Sequence, residues 1–422
     1  MRVPDSLANA FGEPFERLIA EFSAEHGLIP TTDLTESLHS PRFLSRSVIP
    51  HILKLSSLFN RVEKEQSAAL DPYWKESSNP AHLRAAYFLY FMPSNLFRAA
   101  SVWAELGRLG FKLPQLPLLK GVEFGAGPAP GACSAAIASK LGLLDFPSAG
   151  NWALIEQDKA MLELGVSWAE KWFAENDRAD WGLRPFHRKL QLSGASAGFL
   201  PKNAPRFNVW MMSFFLNEFS EPASDVARAL VDGWERHLEE DGIAIIIEPA
   251  LKLQSRRLLE VRKELLAIRE KEGHDWLQIL LPCLGHQTCG ALAAPDDWCH
   301  EEVTWWRPPY FSRIDKLAGL DRKTLPFSYL VVAKSRKKRE ELLPLLGAST
   351  ADRRYRLVSP SHKEGKEQEF FLCGQDGKRR ARWRGPGVDV DEERLERGDI
   401  LNDATVRGAV QASRVERFGE RR

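Results

Sequence analysis

Four of the chain's five cysteines form one spaced set: Cys283, Cys289 and Cys299 in a short stretch, and Cys373 far downstream. The stretch opens Leu281-Pro282-Cys283-Leu284-Gly285-His286-Gln287-Thr288-Cys289 and closes Pro295-Asp296-Asp297-Trp298-Cys299-His300. Its glycines, prolines and paired aspartates interrupt any regular helix or strand. A cysteine kept for packing sits as a small hydrophobe inside a core element. Three in one broken loop point instead to thiolates converging on a metal ion or an iron–sulfur cluster. A fourth ligand from a distant segment then staples two parts of the chain together, which limits the folds open to it. The residues alone leave iron–sulfur and zinc both open, since four thiolates suit either. Structural zinc sites favour two-residue gaps between cysteines, and those are absent. His286 and His300 read as hydrogen-bonding neighbours of the ligands, with substitution for a cysteine as the alternative.

At 422 residues the chain is too long for one ordinary domain. Residues 1–110 read as a helical region, with apolar residues at three- and four-residue steps in 10–22, 47–59 and 85–106. From 111 to 335 short apolar runs alternate with helical segments, which predicts an α/β domain with a parallel sheet. The expected strands are Gly121–Phe124, Trp152–Glu156, Phe207–Phe214, Gly242–Glu248 and Phe327–Lys334, with a third strand ending near Leu190–Gly194. The cysteine-rich stretch is an insertion at 278–310. Residues 336–422 read as a small basic β-rich module and tail, with a hairpin turning at Asp376-Gly377. No run is apolar enough to span a bilayer and no signal core opens the sequence, so no membrane partner is expected. An odd number of cysteines without a secretion signal suits a reducing cytoplasm.

A glycine loop begins the α/β domain. Val122-Glu123-Phe124-Gly125-Ala126-Gly127-Pro128-Ala129-Pro130-Gly131 couples a strand to a small-residue helix. Glycines let the backbone turn and approach a ligand, and the helix start offers free N–H groups. Glu156 ends the next strand, placed for ribose hydroxyls. Glu123, Gly125, Gly127, Gly131 and Glu156 together fit S-adenosylmethionine-dependent methyltransferases better than dinucleotide dehydrogenases. A Rossmann-like domain with no ligand is the alternative.

With these motifs the chain resembles the methyltransferase-like assembly proteins of the small ribosomal subunit, found in bacteria and mitochondria. The likeness runs from about Tyr87 to Trp383. It takes in the glycine loop, Leu216-Asn217-Glu218-Phe219, Ile247-Glu248-Pro249, the Pro-Cys…Cys…Trp-Cys-His stretch and Arg356-Leu357-Val358…Leu372-Cys373. The resemblance implies a Rossmann-like class I methyltransferase fold, a 4Fe–4S cluster on Cys283, Cys289, Cys299 and Cys373, and association with small-subunit ribosomal RNA. It leaves methyl transfer open. The loop after the fourth strand lacks the Asp/Asn-Pro-Pro-aromatic signature of amino-methylating enzymes. Asn217 and Glu218 are the catalytic candidates there, with capping of the following helix as their alternative role.

Net charge is near zero, with 58 Lys+Arg against 57 Asp+Glu, so any nucleic-acid surface is local and no DNA partner is expected. Lys334 to Arg384 carries 15 Lys/Arg against 7 Asp/Glu, an excess suited to phosphate. Lys334, Arg336, Lys337, Lys338, Arg379, Arg380, Arg382, Trp383 and Arg384 are the candidate RNA contacts, combining guanidinium groups with an aromatic. A solvated hairpin with charged outward faces is the alternative. Three functions follow: a cluster-bearing RNA-binding assembly factor, an active ribosomal RNA methyltransferase, and a zinc-stabilised methyltransferase for a small molecule.

Overall fold

The computed structural model describes residues 3–30, 34–59, 80–192, 198–346, 354–360, 362–364, 367–383, 396–402, 405–407, 409–411 and 414–416. The runs of Val, Ile, Leu and Trp become the strands of a central sheet. In chain order these are β1 (Leu119–Phe124), β2 (Gly150–Glu156), β3 (Trp181–His187), β4 (Phe207–Ser213), β5 (Leu238–Pro249), β6 (Leu277–Leu281), β7 (Glu301–Thr304) and β8 (Thr324–Lys334). They lie in the order β3-β2-β1-β4-β5-β8-β6, with β7 against the start of β8. The first five are parallel, and β8 runs antiparallel between β5 and β6. This is a doubly wound α/β sheet, with the strand order reversing between β1 and β4.

Both faces of the sheet are covered, as parallel strands require. On one face Val122, Phe124, Trp210 and Ile246 pack with the helices Ala223–His237 and Lys252–Glu272. On the other, Trp152, Leu154, Val209 and Ile245 join a core that includes the helices Pro130–Lys140 and Lys159–Glu175. The N-terminal helices share that second core: Phe15, Phe22 and Phe88 pack edge-on around Trp168 or Trp172. The helix Met92–Arg108 is buried along most of its length.

The third strand lies earlier than expected, at Trp181–His187, because four of its last residues are exposed and carry no apolar alternation to mark it. The β-rich C-terminal module is present. Among the described residues β9 (Tyr355–Leu357), β10 (His362–Glu364), β11 (Glu367–Gly374), β12 (Gly377–Trp383) and β13 (Ile400–Asn402) belong to a second sheet. The hairpin turns at Gln375 and Asp376, one residue earlier than expected, and Gly377, with φ +100°, opens β12.

One buried guanidinium joins this module to the rest. Arg356 of β9 donates Nε to Glu301 of β7 at 2.8 Å, Nη1 to Glu105 at 2.9 Å and Nη2 to the Tyr329 hydroxyl at 3.3 Å. All four side chains are buried. Removing one partner of such a buried pair strands a charge. Arg356→Met should therefore lower the urea-unfolding free energy by about 3–5 kcal/mol. Adding Glu301→Gln and Glu105→Gln should recover part of the loss.

Candidate functional site

The loops after β1, β2, β4 and β5 meet where the strand order reverses, and enclose a cavity of about 1010 Å³. In open α/β sheets this crevice is where ligands bind. Gly125, Gly127, Glu156, Asp158, Asn217 and Glu218 all line it.

The glycine loop is held from both sides by carboxylates. Glu123 lies beneath it, fully buried, and accepts from the Gly131 and Ala132 N–H groups at 2.8 Å each. A Cβ on Gly131 would stand 2.8 Å from that carboxyl carbon, so glycine is required there. Burial pushes the Glu123 carboxyl up to about 8, against the pull of the two N–H bonds. Glu123 thus shapes the loop and does not line the cavity. Glu156 does line it. One of its oxygens accepts from Gly127 N–H at 2.9 Å, and the other from Gln157 and Asp158 N–H at 2.8 and 2.9 Å. A carboxylate keeps further lone pairs for a ligand.

The loop after β4 turns on Phe214, whose φ of +59° is rare for a bulky residue. Behind it stands Glu248, whose Oε1 accepts from Phe215 and Leu216 N–H at 3.1 and 2.8 Å while Oε2 accepts from the Asn217 amide at 2.7 Å. The sequence reading missed a role for Glu248, although its position at the end of β5 was a usable signal. Asn217 is fixed by this bond, and Glu218 lies on the cavity wall. Within the stretch read as the end of the third strand, Leu190 and Gln191 line the cavity, and Ser193 and Gly194 lie outside the described residues.

The four cysteines of the set line a second cavity of about 40 Å³, with Arg262 and His300. Their backbones are tethered from several elements. Arg262 donates to the carbonyls of Gly285 and Gln287 at 2.9 and 3.1 Å. The Gln287 amide reaches the Gly374 carbonyl at 2.7 Å, and Ser328 the Cys299 carbonyl at 2.9 Å. Burial pushes the Cys373 thiol up to about 12, with Cys283 and Cys289 adding to it. Burial, and then Cys283 and Cys373, also raise the Cys299 thiol well above its ordinary value. Among the described residues, no group of three or more His, Cys, Asp or Glu side chains is arranged to hold a metal ion. The thiols surround one cavity without forming a ready single-ion site. Among the described residues no hydrogen-bond partner meets the buried His286 Nε2 or His300 Nδ1, and burial pushes both imidazoles down to about 4. Both rings are therefore neutral. Cys133 sits apart, wholly buried in the core.

The basic residues fare unequally. Lys334 is a correction: it is buried, and its Nζ donates to the carbonyls of Trp234, Glu235 and Leu238 at 2.7–3.2 Å, closing the end of a helix. Arg336, Lys337 and Lys338 are exposed, with Lys337 paired to Asp241 at 2.6 Å. Arg379 pairs with Asp376, and Arg380 and Arg382 share Glu369. Trp383 has its backbone in β12, and Arg384 lies outside the described residues. Two exposed aromatics escaped the sequence reading or were only touched by it: Phe371, 41% exposed with the Lys378 amine 5.0 Å from its ring, and Trp306, 67% exposed.

A doubly wound sheet with a ligand-sized cavity at its switch point, joined to a four-thiol cavity and a β-rich module, defines the class. The family model described as "Mitochondrial small ribosomal subunit Rsm22" matches residues 84–383, and the chain belongs to that family. No curated protein matches the chain. Among solved structures it is similar to a class I S-adenosylmethionine-dependent methyltransferase from Listeria monocytogenes, at 10% identity over 76% of this chain and 88% of that one, TM-score 0.34. It is also similar to the N-terminal domain of human METTL16 in complex with SAH, at 13% identity over 71% and 98% of the two chains, TM-score 0.29. Neither likeness adds to what the strand order already says.

Burial pushes the Glu248 carboxyl up from an ordinary value of 4.5 to about 7, against its hydrogen bonds with Asn217 and the loop backbone. The folded state then holds a proton that the unfolded chain has released. The stability tied to that proton is present in full below pH 4.5 and is lost as pH rises through 7. Urea unfolding at pH 5 and pH 8 should show the parent losing up to about 3 kcal/mol more than Glu248→Gln.

Proposed function

We propose that this protein is an iron–sulfur cluster-containing factor of methyltransferase-like fold that binds small-subunit ribosomal RNA and assists assembly of the small ribosomal subunit. The family match across residues 84–383 carries the reading. The site supports it: four sulfur donors around one cavity fit a cluster, which takes four thiolates. Cys283, Cys289, Cys299 and Cys373 would hold the cluster, whose iron–thiolate bonds would cross-link the insertion to the C-terminal hairpin. Arg262, Gln287 and Ser328 fix the backbone carrying those ligands.

In the larger cavity, Gly125, Gly127 and Glu156 would hold S-adenosylmethionine, with Glu123 keeping the loop in shape. The RNA surface would use Arg336, Lys337 and Lys338, the Arg380 and Arg382 edge of β12, and Phe371 and Trp306 as stacking groups. Trp383 and Arg384 stay with that surface as part of the proposal. Arg379 lies on the opposite face of β12 from Arg380, and Lys334 is excluded by its burial.

A second reading, an active ribosomal RNA methyltransferase, is favoured by the place of Asn217 and Glu218 on the wall of the same cavity as Gly125, Gly127 and Glu156. Asn217 and Glu218 would then orient the target. A cytoplasmic location is part of the first proposal; the family description names the mitochondrial ribosome, and cell fractionation decides between them. Among the described residues no helix is long and apolar enough to cross a membrane.

Sucrose-gradient sedimentation of cell extract tests the reading. The protein should travel with small-subunit particles, and those particles incubated with it and methyl-labelled S-adenosylmethionine should gain no label. Label in the small-subunit RNA would establish the second reading. A protein that stays at the top of the gradient would overturn both.

A further inference from the structure

Among the described residues the buried Arg356 has two carboxylates, Arg262 has two backbone carbonyls, and Arg339 and Arg354 share the carboxylate of Glu340. Arg98, on the helix Met92–Arg108, is 6% exposed and lines the large cavity. Its one hydrogen bond runs from Nη1 to the Asn95 Oδ1 at 2.9 Å. Its Nε is buried without a partner, and no carboxylate pairs with it among the described residues. The guanidinium lies over the Phe214 ring at 5.4 Å.

A second cation stands on the same cavity wall, which also carries Glu156, Asp158, Glu218, Glu221, Glu302 and Asp321, none of them paired with Arg98 among the described residues. Arg322 also lines the cavity, stacked over Tyr90 at 4.7 Å and Phe91 at 5.5 Å. Burial, and then Arg322, push Arg98 down to about 9, which leaves it charged at neutral pH. Burying an unpaired charge is costly unless something neutralises it. Asn95 offers a neutral dipole, and the aromatic rings offer only their faces. The missing partner is an anion that enters the cavity.

We propose that Arg98, with Arg322 beside it, binds the amino-acid carboxylate of S-adenosylmethionine in this cavity. The inference rests on the donor reading above and extends it to the methionyl end of the molecule. The donor carries ribose hydroxyls, which suit the Glu156 acceptor, and one carboxylate, which suits a guanidinium. Arg98 stands against Phe214, the neighbouring Phe215 ring lies 2.5 Å from where a Gly125 Cβ would stand, and Arg98 and Gly125 line the same cavity. An RNA phosphate is a poorer fit, since a polymer backbone meets the rim and Arg98 is deep within.

Calorimetric titration with S-adenosylmethionine and with its decarboxylated analogue, which differs only in that group, tests the proposal. The parent should bind the complete molecule on the order of 10- to 100-fold more tightly, as expected for a hydrogen-bonded charge pair. Arg98→Met should abolish that preference while leaving affinity for the analogue unchanged, and Arg98→Lys should keep part of it. A parent that binds both equally, or an Arg98→Met protein that retains the preference, overturns the proposal and leaves the donor reading standing. A parent that binds neither overturns the donor reading as well. Unchanged preference with weakened RNA binding in Arg98→Met would give Arg98 to a phosphate instead.

Discussion

The contact on which the architecture turns is the guanidinium of Arg356 in the buried space between Glu105, Glu301 and Tyr329. It binds three segments that the sequence keeps far apart: the last N-terminal helix, the edge of the central sheet, and the first strand of the second sheet. The low dielectric of that site makes the arrangement all or nothing. With its acceptors in place the cation is satisfied, and with any one displaced a charge is stranded. The register that this contact imposes carries forward. Arg356 pairs with Cys373 across β9 and β11, so fixing one places the other.

Glu301 also belongs to the segment that separates the two cavities. Trp298, His300 and Glu302 line the larger one, while Cys299 lines the smaller and Glu301 faces Arg356. An extended chain sends alternate residues to opposite sides, and here each side has its own task. His300 borders both cavities. The four-thiol cavity and the larger cavity therefore meet at His300, and the adjacent Glu301 anchors the C-terminal module. The physical unity of the protein lies in this segment more than in any one domain.

Much of the fold was legible in the sequence because burial leaves a pattern. The runs at Gly121, Trp152, Phe207, Gly242 and Phe327 became β1, β2, β4, β5 and β8, and the glycine loop lies where its residues implied. The third strand was misplaced because its exposed end has no such pattern. Charge was the least legible quantity. A count of Lys and Arg from 334 to 384 cannot see that Lys334 turns inward to close a helix, or that Lys337 and Lys378 meet Asp241 and Asp297 from distant segments. Arg98 failed to register for the converse reason. On a helix of apolar spacing it looks like a surface residue, and only the packed structure shows it buried beside a cavity, with no carboxylate paired to it among the described residues.

The central claim is that the four cysteines hold an iron–sulfur cluster that locks the C-terminal hairpin to the α/β domain. Iron and acid-labile sulfide analysis of protein purified without oxygen, on the parent and on Cys373→Ser, tests it most directly. The account predicts about four irons and four sulfides per chain in the parent, with absorbance of the kind thiolate-ligated clusters give, and substantial loss of both in the variant. One zinc without sulfide, or full iron and sulfide retained after Cys373 is replaced, would contradict it.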